Sequence, residues 1–138
     1  MGSQPLIVID SHALVWLASG DKRLGRRARS ASDRALGDGK LAASAVSFWE
    51  IALLVEKRRL ELGQPTRAWR ERLLQSGLQE IQVDGEIAMA AAQVGDFHDD
   101  PADRFIVATA SLAGATLLTA DQRILDWKGS LRRQDAGE

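Results

Sequence analysis

Residues 6–9, Leu6-Ile7-Val8-Ile9, form an apolar run without alternation. That pattern belongs to a strand covered on both faces, as in a parallel sheet. The run stops at Asp10, and Ser11 is placed to cap a short helix through about residue 17 that Gly20 closes. Residues 21–36 predict a basic helix, ended by Gly37-Asp38-Gly39. Residues 40–43 predict a short strand. Ser44 or Ser47 caps the next helix, which runs to about residue 60, and Gly63-Gln64-Pro65 then breaks the chain. Residues 66–75 are amphipathic, with Trp69, Leu73 and Leu74 on one side. Residues 79–83 alternate and predict a strand. Asp84 caps an alanine-rich helix to about residue 94. Asp100-Pro101 opens another, with proline at its first position, ending near Gly114. Residues 115–120 predict the last strand and 122–127 a short closing helix. The segment after Lys128 is polar and predicts a loose tail.

Strands alternating with helices imply an α/β fold around a parallel sheet of four to five strands. The 138 residues fit one domain over 4–128 followed by a polar tail over 129–138. In such sheets, sites form outside the carboxyl ends of the strands. Asp10 and Asp121 both fall there, each at the end of an apolar strand-like run.

Composition narrows the chemistry. The apolar share of 45% and charged share of 27% are those of an ordinary globular domain. No apolar run approaches the ~20 residues of a membrane span, and no signal-like start is present, so the expected location is the cytoplasm. The absence of cysteine excludes disulfides, thiolate metal sites and a cysteine nucleophile, and His12 and His98 are too few for a multi-histidine zinc site. Oxygen ligands remain, which suit Mg²⁺ or Mn²⁺. Charge is unevenly spread. Basic residues outnumber acids seven to three over 21–40 and six to two over 57–72, whereas over 84–126 eight acids face only Arg104 and Arg123. A basic flank beside an acidic cluster suits an enzyme acting on a phosphodiester polyanion, although solvated helix faces produce similar runs.

Four acids stand out. Asp10 and Asp121 end strands. Glu50 shares a helical stripe with Val46, Leu53 and Leu54, and Asp103 leads a stripe of Ile106, Val107, Ala110 and Gly114. Acids in such places are costly to bury unless a positive group pairs them, and a divalent cation would serve all four. Competing explanations exist for two: Glu50 fits a capping box with Ser47, and Asp103 fits the positive first turn of a helix capped by Asp100. Asp99 and Asp100 read as caps or surface charge, Asp96 as solvated, and His12 as a structural hydrogen bonder. Arg104 either neutralises the acids or contacts a phosphate. The helix around Glu50 is apolar almost all round, so its second face calls for a partner subunit.

Four motifs then occur in order: Asp10-Ser11-His12-Ala13-Leu14-Val15-Trp16, Ser44-Ala45-Val46-Ser47-Phe48-Trp49-Glu50-Ile51-Ala52, His98-x-Asp100-Pro101-x-Asp103-Arg104-x-Ile106-x-Ala108, and Leu118-Thr119-Ala120-Asp121. Together they resemble the PIN domain, and within it the VapC-type toxins of toxin–antitoxin pairs. The resemblance spans about residues 6 to 127. It implies a three-layer α/β/α PIN-like ribonuclease, usually a homodimer, with Mg²⁺ or Mn²⁺ held by Asp10, Glu50, Asp103 and Asp121. It also implies cleavage of RNA to a 5′-phosphate and a 3′-hydroxyl, and neutralisation by a VapB-type antitoxin. Ser11 and Thr119 are expected to donate hydrogen bonds that orient the carboxylates. Three departures are visible: Leu54 stands where relatives tend to carry Lys, Arg58-Arg59-Leu60 where they tend to carry Gly-Lys/Arg-Leu, and Ser11 where Thr is commoner.

The expected function is therefore a metal-dependent endoribonuclease toxin. The alternative is a PIN-like module that binds RNA or protein without cutting. A phosphoryl-transfer domain with an aspartate nucleophile fits less well, because His12 stands where a second acid of an Asp-x-Asp would be needed.

Overall fold

The first strand, β1 (Ile7–Ile9), is buried throughout and sits at the centre of the sheet. Ile7 and Ile9 pack on one side of it and Val8 on the other. The period-2 alternation of a strand thus sends apolar residues into two cores, as the unbroken apolar run requires. The computed structural model describes residues 5–138; the expected domain start at residue 4 lies outside them.

After β1 come α1 (Ser11–Ser19), α2 (Arg26–Gly37), β2 (Leu41–Ser44), α3 (Ala45–Glu56), α4 (Thr66–Gln75) and β3 (Gln79–Ile81). The second half holds α5 (Gly85–Ala92), α6 (Pro101–Leu112), β4 (Thr116–Thr119), α7 (Gln122–Leu125) and β5 (Arg132–Asp135). The strands form one parallel sheet in the order β3-β2-β1-β4-β5. Helices α1 to α4 cover the face of Ile7, Ile9 and Leu118. Helices α6 and α7 cover the face of Val8, Ala42 and Leu117. The result is the expected three-layer α/β/α architecture, with five strands.

The chain runs from β1 outward to β2 and β3, then returns to β4 on the other side of β1. That reversal opens a crevice at the carboxyl end of β1, where ligands of open α/β sheets bind.

Several local expectations are corrected. The cap of α1 is Asp10 rather than Ser11, its side chain accepting from the Ala13 N–H at 2.9 Å. Helix α2 starts at Arg26, not residue 21, because Asp21 accepts from the Arg23 N–H and guanidinium and holds residues 21–24 in a turn. Helix α3 ends at Glu56 rather than near residue 60. Arg58 adopts φ +57°, and the N–H groups of Arg58 and Arg59 donate to the carbonyls of Val55 and Leu54 at 3.0 and 2.9 Å. This is a Schellman ending with arginine in the left-handed position that glycine usually fills.

The largest correction is at the carboxyl end. Residues 132–135, expected in a loose polar tail, form edge strand β5, with Thr116 opposite Arg132 and Thr119 opposite Asp135. An edge strand is held by its ladder and needs little apolar surface, so hydropathy does not reveal it. Ala136 is fully buried, and the carbonyls of Ala136 and Glu138 accept from the N–H groups of Gly25 and Arg27, each at 2.8 Å. They satisfy donors that α2 leaves open at its start. Gly25 is needed there, since a Cβ would collide with the backbone of Gly137 and Glu138.

Candidate active site

Three loops or helix starts and the middle of α3 meet at the crevice beyond β1. They bring Asp10, Glu50, Asp103 and Asp121 to the walls of one cleft of about 60 Å³, together with Ser11, His12, Asp100 and Arg123. The space suits one or two ions or waters rather than an organic ligand.

Asp10 is 6% exposed and caps α1. Its Oδ2 accepts a hydrogen bond from the Thr119 hydroxyl, and that same hydroxyl accepts from the Asp121 N–H at 3.0 Å. Thr119 ends β4, the strand paired directly with β1. One hydroxyl therefore ties the two strand-end acids together. Burial pushes the Asp10 pKa up; the bonds from Thr119 and Ala13 oppose this, and nearby Glu50 adds to the rise.

Asp103 is 8% exposed and lies in the first turn of α6, which Asp100 caps. Its Oδ2 is 3.3 Å from Arg123 Nη2 and 3.2 Å from His98 Nε2. Burial, then the charges of Asp100 and Asp121, push its pKa up to about 8. Asp121 caps α7 and accepts from the Arg123 N–H at 2.9 Å and from Arg123 Nη2 at 3.0 Å. Burial works to raise its pKa, but the hydrogen bonds and charge of Arg123 outweigh it and hold the carboxyl below its usual range.

Glu50 is half-buried and accepts no hydrogen bond among the described residues. The capping-box explanation for it fails. Ser44 is the cap of α3, its Oγ accepting from the Val46 N–H at 3.1 Å, so Ser47 is already inside the helix and Glu50 lies beyond the first turn. Asp103 does occupy a first turn, so its helix-start role and its place in the cleft coexist. The same is true of Asp100, which was set aside from the sequence as a cap and also lines the cleft. Ser11 was expected to orient a carboxylate, yet its buried Oγ has no hydrogen-bond partner among the described residues.

Sequence reasoning missed Arg123 and His98. Arg123 had a signal: Asp121-x-Arg123 repeats the Asp21-x-Arg23 spacing, and both arginines bond the aspartate two residues earlier. The ligand atoms of His98, Asp103 and Asp121 lie within 4.8 Å of one another. His98 Nδ1 accepts from the Asp100 N–H at 3.2 Å, and its buried Nε2, beside Asp103 Oδ2, makes no hydrogen bond among the described residues. Arg104 takes neither role expected of it. Its guanidinium donates to the carbonyls of Ala91, Ala92, Val94, Phe97 and His98. It staples the segment leading to His98 against α6.

Two buried acids with raised pKa values, a third half-buried and a fourth held ionised by one arginine cannot all carry charge cheaply without a further cation. An all-oxygen set of this kind suits a hard divalent ion.

Residues 7–129 match the family model described as the PIN domain. The chain belongs to the PIN domain family. It is 33% identical over 119 residues to Ribonuclease VapC22 of Mycobacterium tuberculosis, covering 86% of this chain and 88% of that protein. Among solved structures, the PIN fold here is similar to a chain of the DNA-bound VapBC of Salmonella typhimurium. That likeness has a TM-score of 0.72 at 14% identity and covers 96% of this chain and 99% of that one. A toxin–antitoxin complex from Klebsiella pneumoniae is similar at a TM-score of 0.60 and 22% identity, covering 94% of this chain and 97% of that one. At these identities the likeness is one of fold.

Proposed function

We propose that this PIN-domain protein is a metal-dependent endoribonuclease and the toxin of a toxin–antitoxin pair. The observation that carries the reading is the convergence of Asp10, Glu50, Asp103 and Asp121 on one cleft at the crevice of the sheet. The relative named as a ribonuclease supports RNA as the substrate. The toxin–antitoxin complexes among the similar folds support a VapB-type antitoxin as the partner.

In this reading Asp10 and Asp103 are the principal ligands of Mg²⁺ or Mn²⁺, and Glu50 and Asp121 complete the set directly or through water. An ion held there would supply water activation and neutralisation of charge at the scissile phosphate. The protein's own part is placement. Thr119 holds Asp10 and Asp121 in register, and α6 presents Asp103 from its first turn. Arg123 steadies Asp121 and would be the protein's own cation beside the phosphate of the strand. Exposed arginines of α2, among them Arg26, Arg27 and Arg34, supply positive charge for a polyanion.

A homodimer through α3 is part of the proposal, because Trp49 is 53% exposed on a helix whose only charged residues are Glu50 and Glu56. A cytoplasmic location is consistent with such a role, and no helix among the described residues is long and apolar enough to cross a membrane.

A non-cleaving module is the second reading. It is favoured by Arg123, whose guanidinium engages both Asp103 and Asp121. RNA cleavage separates the two. The purified protein should cut RNA with Mg²⁺ or Mn²⁺, and Asp10→Asn and Asp103→Asn should each abolish it. Cleavage that persists in EDTA, or in either variant, removes the metal mechanism.

A further inference from the structure

A second cavity, of about 240 Å³, opens beside the acidic cleft, between α1, the far half of α3 and the turn at residues 59–60. The two share a wall, since Ser11 and His12 line both. We propose that this second cavity is a nucleobase subsite, taking the base of a nucleotide next to the phosphate held over the acids. The proposal rests on the nuclease reading for its substrate, but its evidence is separate.

Size comes first. At 240 Å³ the cavity falls below the ~300–1,000 Å³ of sites for drug-sized ligands and suits one planar ring system. Its walls have the right chemistry. Val15, Ile51 and Leu54 supply apolar surface. Trp16 and Arg23 supply a planar one, the guanidinium carbon lying 5.2 Å from the indole centroid. Arg23 is itself fixed by Asp21, with Nη2 at 2.7 Å from Oδ2. Bases stack on aromatic rings and on guanidinium planes of this kind.

A polar group also waits unpaired on the shared wall. Ser11 is 2% exposed, and its Oγ has no hydrogen-bond partner among the described residues. Buried hydroxyls are normally paired, and a turn of the Ser11 side chain toward the cavity would offer its Oγ to a base edge or a ribose hydroxyl. Charge favours a nucleotide. Arg23 is paired with Asp21, but Arg59, exposed and without an ion pair among the described residues, stands at the cavity next to the acid-lined cleft and would meet a nucleotide's phosphate. Arg59 is brought there by the left-handed Arg58, and a non-glycine residue in that conformation is the kind of cost functional sites retain.

The test is a methyl and indole NMR titration of the metal-free full chain. The probes are the four nucleoside 5′-monophosphates, ribose 5-phosphate and N-acetyltryptophanamide. At least one nucleotide should saturably shift the Val15, Ile51 and Leu54 methyls and the Trp16 indole N–H, while ribose 5-phosphate does not. Arg59→Gln, a change at an exposed side chain, should weaken that nucleotide about fivefold. The proposal is overturned if no nucleotide moves these signals, or if ribose 5-phosphate moves them equally. It is also overturned if only N-acetyltryptophanamide binds, which would assign the cavity to a protein side chain. RNA cleavage by the same sample, after Mg²⁺ or Mn²⁺ is added, keeps the two readings apart. Cleavage with a silent cavity removes the subsite and leaves the nuclease, and base binding without cleavage does the reverse.

Discussion

Replacing Thr119 with valine removes one hydroxyl and almost no volume from a fully buried position at the end of β4. Valine is a good strand former, so the sheet has no reason to change. Two hydrogen bonds disappear. One is donated to the buried Asp10 carboxylate and the other is accepted from the Asp121 N–H. A bond to a charged group contributes roughly 1.5–3 kcal/mol, and the amide, close to the surface, can turn to water at little loss. The expected destabilisation at pH 8 without divalent ions is therefore about 2 kcal/mol, or roughly 30-fold in the folding equilibrium. The loss should shrink as pH falls. Asp10 has a raised folded-state pKa, so acidification protonates it in the native state first and the charge that Thr119 supports is gone. Urea denaturation of the wild type, Thr119→Val and Thr119→Ser in a series of buffers from pH 8 downward is the assay. Serine keeps the hydroxyl and should recover most of the difference. Equal stability of Thr119→Val and wild type at pH 8, or a loss that stays the same size across the whole series, would refute the bridging role.

Other outcomes follow from the same geometry. Asp103, with its pKa pushed up to about 8, costs the metal-free fold stability as pH rises from about 4 through 8. Asp103→Asn should remove that slope and be more stable than wild type at pH 8 in EDTA, as urea midpoints would reveal. Arg58→Gly should stabilise the protein by about 1 kcal/mol, because it relieves a left-handed arginine at the end of α3; a lower melting temperature would contradict this. Arg104→Met should cost about 3 kcal/mol and raise hydrogen exchange over residues 91–98, whose carbonyls lose a shared donor.

The layers were legible because the physics that forms them is written locally. An unbroken apolar triplet needs two cores, and Ile7-Val8-Ile9 finds them on opposite faces of β1. Asp10 and Asp121 could be placed together because strand ends in a parallel sheet share one edge. Glu50 and Asp103 were less certain, since each competed with a capping role, and only the start of α3 at Ala45 decided against it for Glu50. What stayed hidden depends on contacts distant in sequence. Strand β5 is polar and held by its ladder to β4, so nothing in its own residues announces it. The Arg104 bonds go to backbone carbonyls, which every residue has, and so leave no sequence pattern. The left-handed turn at Arg58 falls where the family resemblance leads one to expect glycine. That departure was visible, but its conformational meaning needed the backbone.

The claim that the four acids form a cation site is tested most directly by Mn²⁺ binding, followed by electron paramagnetic resonance, without reference to any substrate. Wild type should bind Mn²⁺ saturably and be displaced by Mg²⁺. Asp10→Asn and Asp103→Asn should each weaken Mn²⁺ by a large factor, and Asp99→Asn, outside the cleft, should leave it unchanged. Equal Mn²⁺ affinity in wild type and Asp10→Asn would contradict the account.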